Sequence, residues 1–178
     1  RHNNCYYKIQ KTFQVLSPRF FCSIIKIASQ HLDDDQDQIN ADFYIPIDEN
    51  SIPTGEILRV KGTPFDFTVP KPVGRDIDAD DEQIKHGTGY DHCYVLNKKE
   101  VGELTFAARV LDPTSGRTME VYTTEPGVQF YSDNWADGYK GQHGATFGKH
   151  SGLCFEAQHF PDSPNKAHFP SVVLRPGE

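Results

Sequence analysis

The chain has 178 residues, with 18 Lys and Arg against 25 Asp and Glu, a net charge of −7, and 37% apolar and 12% aromatic side chains. That length and apolar content suit one cored domain, or part of a larger one, and exclude disorder over most of the chain. The negative charge argues against a nucleic-acid or anionic-membrane surface, and no apolar run reaches the roughly 20 residues of a membrane span.

Residues 1–38 show no clear period. They begin on Arg1, which is not expected to be a native translation start, and the apolar stretch around Phe20–Ile25 is too short and too closely flanked by Arg19 and Lys26 for a secretory leader. The acidic tract Asp33-Asp34-Asp35-Gln36-Asp37 reads as solvent-facing. From Ile39 the pattern becomes regular and defines a second unit, 39–178. Ile39, Ala41, Phe43, Ile45 and Ile47 alternate with Asn40, Asp42, Tyr44 and Pro46, the period of a half-buried strand ending near Pro46.

Asp48-Glu49-Asn50 and Pro53-Thr54-Gly55 are turns, and the acidic, Gly-containing segment 76–89 reads as a long surface loop. Leu104, Phe106, Ala108 and Val110 alternate with Thr105, Ala107 and Arg109, which predicts a strand over 103–111. A turn at Asp112–Gly116 returns it as a hairpin through Met119–Thr124. Val128 and Phe130 oppose Gln129 and Tyr131, and Leu153, Phe155 and Ala157 oppose Cys154, Glu156 and Gln158. No segment after residue 38 repeats apolar residues at helical spacing over three turns. The expected class is therefore all-β, an antiparallel β-sandwich, and a helix bundle is excluded.

Cys5, Cys22, Cys93 and Cys154 form no C-x-x-C pair, so reduced thiols are expected rather than a zinc or dithiol site. His143, His150, His159 and His168 form no H-x-x-x-H or H-E-x-x-H pair, and no metal or other cofactor is expected. The chain lacks G-x-G-x-x-G, G-x-x-x-x-G-K-[ST] and G-x-S-x-G, which argues against Rossmann dinucleotide, P-loop nucleotide and α/β-hydrolase chemistry.

Glu156 is the most informative polar residue. A carboxylate between Phe155 and Ala157, in a strand poor in charge, is a candidate for partial burial, which favours proton acceptance near neutrality. The same spacing also suits a plain solvent-facing strand residue. Asp91 and His92 fall on opposite faces of a strand, so they do not form a dyad, and His92 reads as structural. Gln129 offers a neutral donor and acceptor suited to hydroxyl groups. Trp135, Tyr131, Tyr139 and Phe147 could stack on sugar C–H faces or serve as packing.

Several segments go beyond generic β patterning. Asn40-Ala-Asp-Phe-Tyr-Ile-Pro-Ile-Asp-Glu-Asn50 runs into Ile52-Pro-Thr-Gly-Glu-Ile57 and Gly62-Thr-Pro-Phe-Asp-Phe67. Gly89-Tyr-Asp-His92, Thr123-Thr-Glu-Pro-Gly-Val-Gln-Phe-Tyr131 and Leu153-Cys-Phe-Glu-Ala-Gln158 follow in that order. Together, from about Ile39 to the end of the chain, they resemble the galactose mutarotase (aldose 1-epimerase) family.

The resemblance implies a galactose-mutarotase-like β-supersandwich, shortened at its N-terminal side. It implies a cytoplasmic enzyme without metal or cofactor that interconverts the α and β anomers of hexoses such as galactose and glucose. By resemblance Glu156 is the catalytic base that takes the C1 hydroxyl proton, and Asp91 and Gln129 bind sugar hydroxyls. The family's acid histidine lies in an Asn-His-x-Tyr-Phe-Asn segment. The corresponding stretch here, Pro18 to His31, has no Asn-His pair, and the surroundings of His31 do not match. A family member is also longer, and its first half supplies an Arg and a His to the sugar. A sugar-binding or regulatory fragment on the same fold is therefore the alternative expectation. A glycoside hydrolase using Asp91 and Glu156, which needs its carboxylates about 5–5.5 Å apart (retaining) or 6.5–9.5 Å apart (inverting), comes third because the family resemblance makes it the least expected. The hexose is the expected partner, with no nucleic acid and no membrane. Exposed strand edges of a shortened sandwich would favour self-association.

Overall fold

The computed structural model describes residues 5–10 and 34–176. His31 and Cys22 lie outside the described residues. The strands are β1 (Cys5–Gln10), β2 (Gln36–Ile39), β3 (Phe43–Ile45), β4 (Leu58–Arg59), β5 (Lys71–Pro72), β6 (Asp91–Val95), β7 (Thr105–Asp112), β8 (Arg117–Thr123), β9 (Gly127–Tyr131), β10 (Tyr139–Lys140), β11 (Thr146–Phe147) and β12 (Cys154–Gln158). A short α-helix, α1 (Glu82–Gly87), precedes β6.

Two five-stranded sheets face each other, one in the order β1-β8-β7-β2-β5 and the other β12-β9-β6-β3-β4, while β10 and β11 form a separate hairpin. Every pairing is antiparallel. The core lies between the sheets. Ile39, Ala108, Val110, Met119 and Val121 come from the first, and Tyr44, Tyr94, Val128, Phe130 and Phe155 from the second. Phe65 and Phe67, from the connection between β4 and β5, fill the layer between them, with Tyr44 stacked on Phe65 at 4.4 Å between ring centroids. The all-β sandwich expected from the alternation is the observed class.

Four local readings are corrected. The alternation over 39–47 is not one strand. The chain leaves the first sheet after Ile39 and enters the second at Phe43. Asn40 anchors the crossing, donating Nδ2 to the Phe106 carbonyl at 2.9 Å and accepting from the Asn97 N–H at 2.9 Å. The crossing shifts the phase, so that Tyr44 turns into the core and Ile45 turns to the opposite face.

In β7 a bulge between Phe106 and Ala108 buries Ala107 and Ala108 together. Phe106 is left half-buried against the Tyr122 ring, at 5.7 Å between centroids. An extra residue in one strand resets the side-chain period, which the sequence alternation could not register. The segment 76–89 is not a plain loop. Asp81 caps α1 by accepting the N–H groups of Gln83 (2.8 Å) and Ile84 (3.2 Å), and Ile77 and Ile84 are buried.

The acidic tract is also not wholly solvated. Asp37 is paired with Val110 across β2 and β7 and shares a face with Ile39, so the alternation that turns Ile39 inward turns Asp37 inward too. Asp35 and Asp37 are 0% exposed, and neither carboxylate has a hydrogen-bond partner among the described residues. Burial, with the charges of Asp112 and Asp34 adding to it, pushes the Asp35 carboxyl up to about 6. Burial, and then the charge of Asp35, pushes Asp37 well above the carboxylate range.

Candidate active site

The outer face of the second sheet carries Asp91 and Cys93 from β6, Gln129 and Tyr131 from β9, and Cys154, Glu156 and Gln158 from β12. The registers Asp91↔Tyr131, Cys93↔Gln129 and Glu156↔Gln129 place them side by side. The inner face of the same strands holds His92, Tyr94, Val128, Phe130 and Phe155 in the core. Because side chains alternate along a strand, burying one set commits the other to a single surface. The structure thus brings all three residues singled out from the sequence, Asp91, Gln129 and Glu156, onto one face of three adjacent strands.

The start of β6 is fixed from several directions. Helix α1 ends on Thr88 in a left-handed conformation, φ +57°, and the Gly89 N–H donates to the Ile84 carbonyl at 2.9 Å. Gly89 itself has φ +130°, and a Cβ there would stand 2.6 Å from Asn134 Oδ1, so only glycine fits this junction. Ser132 Oγ accepts from the Tyr90 N–H at 3.0 Å and donates to Asn134 Oδ1 at 2.6 Å. Asn134 Nδ2 reaches back to the Gly87 carbonyl at 2.7 Å and the Tyr90 carbonyl at 3.0 Å. The turn after β9 therefore clamps the junction from which Asp91 projects.

His92 is structural, as its place on the strand suggested. Its Nδ1 accepts from the Asp91 N–H at 3.2 Å, and its Nε2 donates to Gln83 Oε1 at 3.2 Å. Its ring packs against Phe65 and Tyr44. Burial and then nearby His86 hold its pKa down to about 3, so the imidazole is neutral and is not a proton donor to the outer face.

On that face Gln129 Nε2 donates to Asp91 Oδ1 at 2.7 Å, and Gln158 Nε2 donates to Gln129 Oε1 at 3.4 Å. Burial raises the Asp91 carboxyl. The Gln129 bond works against that rise, and the charge of Glu156 adds to it. Glu156 is half-buried, and no hydrogen bond or ion pair among the described residues engages its carboxylate. One end of the face is covered by Phe160 and Phe169, which pack on Ile45 and Cys93. Gly127 permits this approach, since a Cβ there would stand 2.8 Å from Cys93 Sγ. The polar end is left open, with two carboxylates and two amides close together. That set can accept and donate hydrogen bonds to a neutral polyhydroxyl ligand and can take up a proton.

Among the aromatic candidates, Tyr131 shares the face, and its hydroxyl accepts from the Trp135 N–H at 3.3 Å. Trp135 is 64% exposed. Tyr139 and Phe147 pair with each other across the β10–β11 hairpin, on a separate sheet from the three candidates. His150, His159 and His168 each have a separate partner, respectively the Ser132 carbonyl, Glu125 and the Gly55 carbonyl. Gln158 was not singled out from the sequence, although its even spacing from Cys154 and Glu156 was the available signal.

A family model described as aldose 1-epimerase matches residues 17–178. The chain is 47% identical to human galactose mutarotase over 152 residues, which cover 85% of this chain and 42% of that protein. It is 40% identical to Escherichia coli aldose 1-epimerase over 143 residues, 79% of this chain and 41% of that one. Among solved structures, a GalM/aldose epimerase homologue from C. elegans superposes with a TM-score of 0.72 at 28% identity, covering 85% of this chain and 44% of that one. A galactose 1-epimerase from Lactobacillus acidophilus gives a TM-score of 0.55 at 29% identity, covering 73% of this chain and 36% of that one. The chain spans less than half the length of the curated relatives it matches.

Proposed function

Because the chain belongs to the aldose 1-epimerase family, we propose that the outer face of the second sheet is the base side of a hexose 1-epimerase site. Asp91 and Gln129 hold sugar hydroxyls. Glu156 takes the proton from the C1 hydroxyl as the bond between C1 and the ring oxygen breaks. The ring oxygen gains a proton from a general acid, rotation about C1–C2 turns the aldehyde, and the reverse steps close the other anomer. Atoms and protons balance over the cycle, and no cofactor takes part.

The observation that supports this most directly is the placement of Gln129. It is hydrogen-bonded to Asp91 at 2.7 Å on one side and paired in register with Glu156 on the other. A base and a hydroxyl-binding pair so arranged lie within the span of one sugar ring. The face also suits recognition by hydrogen bonds, which discriminates because a wrong sugar leaves buried polar groups unpaired. His92, neutral and turned into the core, does not supply the acid, and no residue of this chain matches the family's acid histidine. The 178-residue chain is therefore proposed to bind hexose and to turn it over slowly. An absent positioned acid lowers the rate about 10²–10⁴-fold.

The test is titration of the labelled chain with galactose and glucose by NMR, alongside polarimetry of the α anomers with the uncatalysed rate subtracted. Saturable shifts at Asp91, Gln129 and Glu156 with slow mutarotation are expected. No hexose-dependent shift on this face would overturn the proposal. Release of the aglycone from an aryl glycoside would replace it with the hydrolase reading. Mutarotation at the rate of an ordinary family member, abolished by His31→Asn, would assign the acid to His31.

A further inference from the structure

Gln129 is the pivot of the site, and an amide can present either end to a neighbour. With Nε2 toward Asp91 it donates to the carboxylate. Turned over, it sets Oε1 against Asp91, oxygen to oxygen. Which end faces which is decided by the partners of both ends. The Asp91 side contributes a carboxylate that only accepts when ionised. On the other side Gln158 stands on β12, two residues beyond Glu156 and on the same face. Its Nε2 lies 3.4 Å from Gln129 Oε1, while Gln129 Nε2 lies 2.7 Å from Asp91 Oδ1. The two bonds run in one direction across three strands, from Gln158 through Gln129 to Asp91.

We propose that Gln158 is a positioning residue, its amide donating to Gln129 Oε1 and so fixing the Gln129 N–H toward Asp91. This rests on the reading of the face as a hexose site, and it adds a residue that contributes through Gln129 rather than through the sugar. The floor beside Gln158 is closely packed. Its Cα partner is Gly127, over which Phe160 packs on Cys93, and the ring lies 3.2 Å from where a Gly127 Cβ would stand. The Gln158 side chain lies along this packed surface, meeting Cys93 as well as Gln129. A fixed Gln129 amide holds one Asp91 oxygen and leaves the other, Oδ2, to accept a sugar hydroxyl. A mobile amide would satisfy Asp91 only part of the time and would offer a donor or an acceptor at random to the ligand.

The experiment follows the Asp91 carboxyl ¹³C shift against pH in the 178-residue chain, in Gln158→Met, which removes the donor at similar volume, and in Gln129→Met, which removes the bond to Asp91 outright. Galactose affinity is measured on the same samples. The expected result is that Gln158→Met moves the Asp91 titration upward, part of the way to its position in Gln129→Met, and weakens galactose binding about 3–10-fold, as loss of a hydrogen bond of modest net worth implies. An Asp91 titration unmoved by Gln158→Met but moved by Gln129→Met overturns the role of Gln158 and leaves the hexose reading standing. A moved titration in a chain that binds no galactose retains the positioning of Asp91 and removes the hexose reading. In the unsubstituted chain, NOEs from the Gln158 side-chain amide to Gln129 Hγ provide a check that needs no variant to fold. Their absence also overturns the proposal.

Discussion

Gln129 Nε2 stands 2.7 Å from Asp91 Oδ1, although the two residues are diagonal rather than directly opposed on β9 and β6. Diagonal neighbours on one sheet face lie within reach of long side chains. The bond spans residues separated by 38 positions, and it exists because both strands bury their alternate residues in the same core.

Gln129→Leu should weaken hexose binding. The substitution removes a donor and an acceptor from the ligand and leaves the half-buried Asp91 carboxylate without its amide partner. Leaving such a group unsatisfied costs about 1–3 kcal/mol, or roughly 5–150-fold in affinity. Calorimetric or NMR titration with galactose measures this, and an unchanged affinity would remove Gln129 from the site. The Asp91 carboxyl, already raised by burial, should rise further because the Gln129 bond is the influence that lowers it.

Glu156→Gln should abolish most of whatever mutarotation the chain supports while keeping the fold. The amide is nearly isosteric but accepts no proton at C1, and a positioned base contributes about 10²–10⁴-fold. Polarimetry reads the rate, and far-UV circular dichroism reads the fold. Equal rates in the two proteins would exclude Glu156 as the base.

Asp37→Val should stabilise the protein. Asp37 is fully buried in β2 with no hydrogen-bond partner among the described residues, facing the layer that holds Val110 and Ile39. Burying an unpaired polar group costs about 1–3 kcal/mol, and valine also suits a strand. At about 2–4 °C per kcal/mol for a chain of this size, the melting temperature at pH 7 should rise by several degrees. A fall would show that the Asp37 carboxyl has a favourable role in the sandwich.

The Asp35 contribution to stability should decline as pH rises from about 4 to about 6, while His92, held neutral in the fold with its pKa down at about 3, contributes in the opposite direction over the same range. Asp35 titrates near its ordinary value in the unfolded chain and near 6 in the folded one. Between those values the folded state holds a proton that the unfolded state has lost. Through this group each step up in pH therefore favours unfolding, and the loss is complete above the folded value. The groups responsible are Asp35 itself, buried, with Asp34 and Asp112 beside it and Asp37 two residues further along the chain. Asp35→Asn should remove this contribution from a urea-denaturation profile against pH. An unaltered slope would show that Asp35 is not its source.

Much of the architecture was legible in the chain. The alternations Val128/Phe130 against Gln129/Tyr131 and Phe155 against Cys154/Glu156 set both the inner and the outer faces of β9 and β12, because a period of two leaves no third choice. They also put Gln129 and Glu156 on the polar side. Where the chain breaks that period, alternation misled. The crossing at Asn40 and the bulge at Ala107 each reset the phase, turning Tyr44 inward and Phe106 out of the main core.

Asp91, Gln129 and Glu156 could be named from the sequence as residues suited to a sugar, but not as neighbours. Their proximity depends on the order β12-β9-β6, which is a matter of which strands share hydrogen bonds across long separations. The same holds for Gln158, whose part depends on a 3.4 Å approach to a side chain 29 positions away. The burial of Asp35 and Asp37 was likewise hidden. An acidic run reads as solvated until β7 and β5 bind the two edges of β2 and fix which of its faces turns inward. Local spacing determines which side of a strand a residue occupies. Only the pairing of strands decides what stands beside it, because that depends on contacts between segments remote from one another in the chain.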